Sequence, residues 1–461
     1  MLRKPVACMV ALFMIGGAAP AAETVTVKPG ESIQAAVKKA HRGELIKVLP
    51  GTYHETVYID IDDIHLEGVI ENGAWPVLDG EGKLNDGILA SGHGVTIERM
   101  WVRRFKGNGI MTQGANNFKI LNNVVEGPCF YAIFPQYGKN GLVANNTVSK
   151  SDDSAIYVGM SDHIDVLNNE ASDSVIGIEV ENSTNALIEG NYVHDNAVGM
   201  GAAQLPSLPV KVADHVVIRN NIVVNNNIKN FAPEGAISAG IPSGVGIWIL
   251  GTDSVTVENN LIRNNKSVGL FYSETTFIIT ATDTKMNPLA SHGVILKNRF
   301  LENGKNPEGS VKDFLAVAGR TTGVDFLTTG KGLDNCIADR HTITSLGANR
   351  FVDCAPGSTS AKLLTARLPT PAPEPSLSPA AQGRLAYLAV CSGCHTYDSR
   401  LIGPPMVAVK AIYGSDVQKL ADYIAKPVKK RPDLPEMPPQ DYLPPAVRLA
   451  VANYVLNELN H

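Results

Sequence analysis

The chain is poor in aromatic side chains, which make up 6% of its 461 residues, yet its 44% hydrophobic content is ordinary and supports a buried core. Neither sign of charge dominates. Forty Lys and Arg stand against 45 Asp and Glu, a formal −5 that becomes −7 if Arg3 and Lys4 leave with an N-terminal leader. Nucleic-acid binders carry a basic surplus, so no nucleic-acid partner is expected. No apolar run after the first residues approaches the ~20 residues that cross a bilayer, so no membrane span is expected. The length exceeds what a single core sustains and predicts two or more domains.

The N-terminus is the exception to the sparse apolar runs. Arg3 and Lys4 precede Val6–Ile15, and Ala19-Pro20-Ala21 supplies the small residues of a cleavage site. Residues 1–21 therefore read as a signal peptide, and the mature protein as periplasmic or secreted. Cys8 leaves with the leader. Cys336 and Cys354 can close a loop in an oxidising compartment, and Cys129 reads as a small buried apolar residue.

A repeat runs through the middle of the chain. Ile97-Glu98-Arg99-Met100, Ile120-Leu121-Asn122-Asn123, Val143-Ala144-Asn145-Asn146, Val166-Leu167-Asn168-Asn169 and Ile188-Glu189-Gly190-Asn191 recur at steps of 23, 23, 23 and 22 residues. Ile218-Arg219-Asn220-Asn221, Val257-Glu258-Asn259-Asn260 and Leu296-Lys297-Asn298-Arg299 follow at 30, 39 and 39. Short alternating strands at this period mark a β-solenoid. The longer steps imply loops inserted at Gln204–His215 and Ile228–Ser243. The Asn pairs are read as structural, since Asn at one bend of each coil can bond its neighbours above and below and tolerates left-handed angles.

Ser32–Ala40 forms a short amphipathic pattern, followed by Glu44–Leu49 and Pro50-Gly51-Thr52-Tyr53. With the repeat, this entry resembles exported right-handed parallel β-helix proteins of the broad pectate-lyase-like and copper-maturation-related group. The resemblance implies that residues 22–60 form a capping helix and first coil and 61–364 the parallel β-helix. A cap is physically required because a bare end coil exposes apolar side chains and unpaired backbone. The chain lacks the paired-aspartate and Gly-His-Gly order of polygalacturonase-like hydrolases: Gly92-His93-Gly94 lies about sixty residues ahead of Asp152-Asp153. It also lacks the Asp-Pro-His-Asp box of mannuronan epimerase-like proteins. Five prolines between 369 and 379 mark residues 365–380 as a semi-rigid tether.

The remaining stretch, 381–461, contains Cys391-Ser392-Gly393-Cys394-His395. A C-x-x-C-H box attaches haem by two thioethers and supplies an axial imidazole. Leu401-Ile402-Gly403-Pro404-Pro405, an amphipathic segment near Asp416–Ile424, Glu436-Met437-Pro438-Pro439 and a helical pattern over Pro445–Leu459 follow. This order resembles a small all-α class I cytochrome c domain. The resemblance implies one covalent haem c on Cys391 and Cys394. It further implies His395 and Met437 as iron ligands, with the Pro404 carbonyl receiving the His395 ring N–H. Met406 is the rival sixth ligand, less favoured because it lies only eleven residues past His395. Met/His ligation fills both axial positions and points to electron transfer with a redox partner protein.

Strand alternation in the coils puts Ile133, Ile156, Ile178, Val180, Ile247 and Ile249 inside. It sets Phe134, Tyr157, Glu179 and Trp248 outside in one column, with Gln136 and Glu181 beside them. Rings and carboxylates in a column suit a sugar-binding groove. Glu179 and Glu181 are ~6.5–7 Å apart by strand rise, inside the window of an inverting hydrolase pair, although any exposed Glu-x-Glu strand gives that spacing. Tyr157, Glu179 and Glu181 are thus weak catalytic candidates. Three functions follow. The first is an exported haem c electron-transfer protein whose solenoid binds a partner or polysaccharide. The second is a carbohydrate-active enzyme (lyase, epimerase, hydrolase or sugar oxidoreductase) with the haem as electron outlet. The third is a structural or adhesive solenoid with an accessory cytochrome.

Overall fold

A computed structural model describes residues 24–279, 283–338, 340–355 and 377–460, apart from the side chains of Pro128 and Cys129. The expected leader, most of the tether and the environment of Cys129 lie outside these residues.

The repeat winds the chain into stacked coils with three parallel sheets of twelve, eleven and ten strands. Ile97, Ile120, Val143, Val166, Ile188, Ile218, Val257 and Ile295 pair in register along one sheet. None of them is more than 2% exposed. Burial of each such side chain contributes roughly 1.5–3 kcal/mol, so a slip of one residue would forfeit the stack.

The Asn pairs divide the work of the bend. The first member takes a left-handed turn, at φ 55° in Asn122, 58° in Asn145 and 54° in Asn168, with Gly190 doing the same at 70°. The second member points inward. Asn123, Asn146, Asn169, Asn191, Asn221, Asn260 and Asn298 form a continuous amide ladder, each Nδ2 donating to the next Oδ1 at 2.9–3.0 Å. A second ladder, Asn196–Asn226–Asn265–Asn303, lines another bend at 3.0–3.1 Å.

At the N-terminal end, helix Ile33–Val37 buries Ile33 and Val37 against the first coil. Ser32 accepts from Ala35 N, and Glu55 accepts from the Ile33 and Gln34 amides at 2.7 and 3.0 Å, so a carboxylate meets the helix's free N–H groups. At the other end the coil outlasts the visible repeat, with strands Val324–Thr328, Cys336–Ile337 and Ser345–Leu346 after an inserted helix, Gly309–Val317. The last strand, Ser345–Leu346, is only two residues long. A turn at Ala348–Arg350 then inserts Phe351 edge-on against Tyr272 and Phe326. Cys336 and Cys354 are joined by a disulfide.

A C-terminal helical unit follows: Pro379–Ala386 running into Tyr387–Cys391, then Met406–Tyr413, Val417–Ala425, and Pro445–Asn453 running into Tyr454–Glu458. Ser378 caps the first helix, so the helical unit takes in the last residues of the tether expected to end at 380. The first and last long helices cross so closely that a Cβ at Gly383 would strike the Ala450 carbonyl. The unit has its own core of Tyr387, Leu388, Leu420, Ile424, Val451 and Val455. Among the described residues no helix is long and apolar enough to cross a membrane.

Candidate functional site at the junction of coil and helices

The outward column exists in register. Met111 pairs with Phe134, Tyr157 with Glu179, Glu179 with Gly201, Gly201 with Trp248, and Trp248 with Phe271. Its inward neighbours, Ile133, Ile156, Ile178, Val180, Ile247 and Ile249, all lie in the solenoid core. The column is not, however, an open groove. Phe134, Gln136, Tyr157, Glu181 and Trp248 are buried, and only Glu179 is half-exposed. The helical unit and the two inserted loops cover this face. Apolar burial drives the cover: Leu401 and Ile402 join Phe134, Tyr157, Leu205 and Trp248 in one cluster.

Polar contacts fix the docking. Gln136 Nε2 donates to the Leu388 carbonyl at 3.0 Å and to Ser392 Oγ at 3.3 Å. Gln113 Nε2 donates to the Tyr442 hydroxyl at 2.7 Å, and the Tyr442 ring lies 4.9 Å from that of Tyr58. Ser207 Oγ donates to Asp398, and its carbonyl accepts from Tyr397 N at 3.2 Å. Gly393 approaches the solenoid so closely that a Cβ there would sit 2.8 Å from the Phe134 ring.

Between the two units lies a cavity of about 380 Å³. Cys391, Cys394, His395, Met406 and Met437 line it from the helical side, and Met111, Tyr131 and Phe134 from the solenoid. The helical segment Tyr387–Cys391 ends on the first cysteine and the turn after it presents Cys394, whose N–H donates to the Cys391 carbonyl at 3.1 Å; the two thiols are not bonded to each other. Burial pushes each thiol up to about 12, with the charge of Asp86 adding to the effect at Cys394. His395 Nδ1 lies 2.8 Å from the Pro404 carbonyl, which fixes that nitrogen as the N–H and leaves Nε2 as a lone pair. Burial lowers the imidazole pKa and the Pro404 bond partly opposes it. Gly403 cradles the ring, since a Cβ there would collide with it. Lys106, Lys429, Lys430 and Arg431 stand on the cavity wall.

These features fit a covalently held haem. Two thiols face an apolar cavity, an imidazole is held in one tautomer, and two thioethers share the wall. Basic side chains suit the carboxylates of a macrocycle. Met406 and Met437 both reach the cavity, the first from a helix start and the second from the Met-Pro loop.

Other polar pairs on the coil act as braces. Asp162 accepts from His163, Thr184 and Asn185 at 2.7–2.9 Å. His194 lies between Asp195 at 2.7 Å and Glu170 at 3.2 Å. His65 and Glu98 are 2.7 Å apart, and Arg99 ties Glu67 into the same group. Asp153, by contrast, joins Glu179 and Glu181 under the helical unit, and burial with mutual repulsion pushes all three carboxyls well above the usual range.

Tyr131 escapes a simple alternation rule. In these strands the second and third residues both face inward, as Ala132 with Ile133 and Ala155 with Ile156, so the first residue turns outward. The small second residue is the available signal, with Gly177, Gly199, Gly246 and Gly269 at the same place.

The family model described as the right handed beta helix region matches residues 86–262. No curated protein sequence matches the chain. Among solved structures, the DFA-IIIase of Arthrobacter chlorophenolicus A6 without its lid is 12% identical, with TM-score 0.46, over 73% of this chain and 99% of that one. The A-module of the Azotobacter vinelandii mannuronan C-5 epimerase AlgE4 is 12% identical, with TM-score 0.42, over 70% and 92%. An alginate lyase from Paenibacillus sp. str. FPU-7 is 12% identical, with TM-score 0.37, over 61% and 98%. The body of this chain is a right-handed parallel β-helix.

Proposed function

We propose that the protein is an exported haem c electron carrier whose β-helix serves as the seat of the haem-bearing unit. One observation carries this reading: the two thiols, the oriented His395 ring and Met437 all face a single cavity. Cys391 and Cys394 would hold the macrocycle, His395 would offer Nε2 to the iron, and Met437 would offer its sulfur from the Met-Pro loop. Bound there, the haem supplies reversible one-electron uptake. The chain's own residues do the rest. Pro404 holds the imidazole tautomer, Phe134 and Tyr131 exclude water from the thioether side, and the exposed Lys426, Lys429, Lys430 and Arg431 present positive charge to an acidic redox partner.

The test is protein matured in a host competent for haem attachment. Its mass should exceed that of the polypeptide by one haem, and its reduced-minus-oxidised spectrum should be of c type. Met437→Ala should abolish the methionine-ligand charge-transfer band and Met406→Ala should keep it. Absence of added porphyrin mass ends the proposal.

A second reading, a carbohydrate-active solenoid, is supported by the composition of the column at Phe134, Tyr157, Glu179, Glu181 and Trp248. Because that column is covered, a polysaccharide would have to displace the helical unit to reach it.

A further inference from the structure

Beside the haem-sized cavity lies a smaller chamber of about 70 Å³. Its polar wall is Asp153, Glu179, Glu181 and Tyr131; Trp248 and aliphatic side chains complete it, with Leu401 and Ile402 contributed by the loop after His395. No Lys, Arg or His lines it. Among the described residues the three carboxylates receive hydrogen bonds from three hydroxyls alone. Ser238 donates to Asp153 at 2.9 Å, Ser154 to Glu179 at 2.7 Å, and Tyr157 to Glu181. Ser154 also lies 3.4 Å from Asp153, but its single proton can serve only one of them.

A second observation points the same way. Tyr131 is 4% exposed, and among the described residues its hydroxyl has no hydrogen-bond partner. It lines the chamber, where the charges of Asp153, Glu181 and Glu179 act on it. A hydroxyl turned into the chamber with no protein partner and three crowded carboxyl groups with no cation among them each leave polar capacity unused. A single ligand that carries positive charge and N–H donors would relieve both.

We propose that this chamber binds a small organic monocation, a primary alkylammonium of one or two carbons. Its three N–H donors match the carboxylate oxygens that lack donors and the Tyr131 oxygen, and its alkyl end meets the Trp248 ring and aliphatic wall. The space holds a few waters, which suits a ligand of a few heavy atoms. Geometry selects against a bare metal ion. Among the described residues only His65, Glu67 and Glu98 bring three ligand atoms within 4.8 Å of one another, and Arg99 already pairs with Glu67. This site does not require the haem, although Tyr131 and Ile402 line both cavities.

Calorimetric titration of the full-length, matured protein with methylammonium chloride at pH 8.5 tests the proposal. One saturable equivalent is expected, with no binding of tetramethylammonium, which lacks N–H donors, or of glucose. Affinity should fall as pH is lowered to 6, because burial and mutual repulsion keep the carboxyls protonated and a cation must displace those protons. Asp152, Asp153, Glu179, Glu181, Tyr131 and Tyr157 are the titratable groups around the chamber; the helical unit adds apolar Leu401 and Ile402 to its wall and brings the Cys394 thiol within electrostatic reach of Tyr131. Glu181→Gln should weaken binding about tenfold and Tyr131→Phe about fivefold, the losses expected for a charge-assisted and a neutral hydrogen bond. Removing a repelling charge leaves the fold intact, which the melting temperature checks. No saturable heat with methylammonium between pH 6 and 9, binding of glucose in its place, or unchanged affinity in a folded Glu181→Gln protein overturns the proposal. The absorption spectrum is untouched by any of these results, so they leave the haem reading to its own test.

Discussion

Asn169 shows how much one side chain can carry in this fold. Its Nδ2 donates to Asn191 Oδ1 and to the Val143 carbonyl, both at 3.0 Å. Its Oδ1 accepts from the backbone and side-chain N–H groups of Asn146. Alanine at 169 would strand buried groups on the coils above and below. We expect a loss of about 3 kcal/mol or more, read as a lower melting temperature, whereas Asn168→Gly at the exposed left-handed turn should be nearly neutral. The doublet was legible from sequence because ladder and turn demand the same residue type for different reasons. Tyr131 was legible only through the small residue after it: Ala132, like the glycines at the same place in later coils, faces inward with Ile133 and turns Tyr131 out, which plain alternation does not predict.

At the scale of elements, the end cap depends on a neighbour in space. Helix Ile33–Val37 is only five residues long and owes its closure to Glu55, twenty-odd residues on, as well as to Ser32. Glu55→Gln should cost about 1 kcal/mol, in line with a helix N-terminal contact. Hydrogen exchange should show the loss as faster exchange confined to Thr24–Val48, with later coils unchanged, because each coil chiefly feels its neighbours. The helical patterns near Asp416–Ile424 and Pro445–Leu459 were readable from their apolar spacing. The late strands after residue 300 were not. Helix Gly309–Val317 interrupts the period there, and the strands shrink to two residues at Cys336–Ile337 and Ser345–Leu346.

For the whole molecule, the decisive fact is that helices and coil share one buried face. Alternation located the column Phe134, Tyr157, Glu179 and Trp248, but no local pattern announces that a segment more than a hundred residues away will cover it. Ile402→Asp places a charge in the apolar seam beside the carboxyl groups of Asp153, Glu179 and Glu181 and should undock the helical unit. Small-angle scattering should report a larger radius of gyration, with the visible absorption spectrum retained. A polysaccharide-binding solenoid should then bind uronate polymers that the intact protein ignores; equal indifference in both proteins rules that role out.

The face at Tyr58, Gln113 and Gln136 belongs to early coils, while its cover follows the last one. From Ser345 back to Gln113 the chain recrosses eight strand steps, ~38 Å at the usual strand spacing, a gap that the 21 residues 356–376 can bridge. As the polypeptide emerges from its N-terminus, this oily, acid-lined wall must therefore wait bare until the final fifth arrives. A chain cut short by nicking or premature termination would present a sticky flank, a natural handle for quality-control proteases.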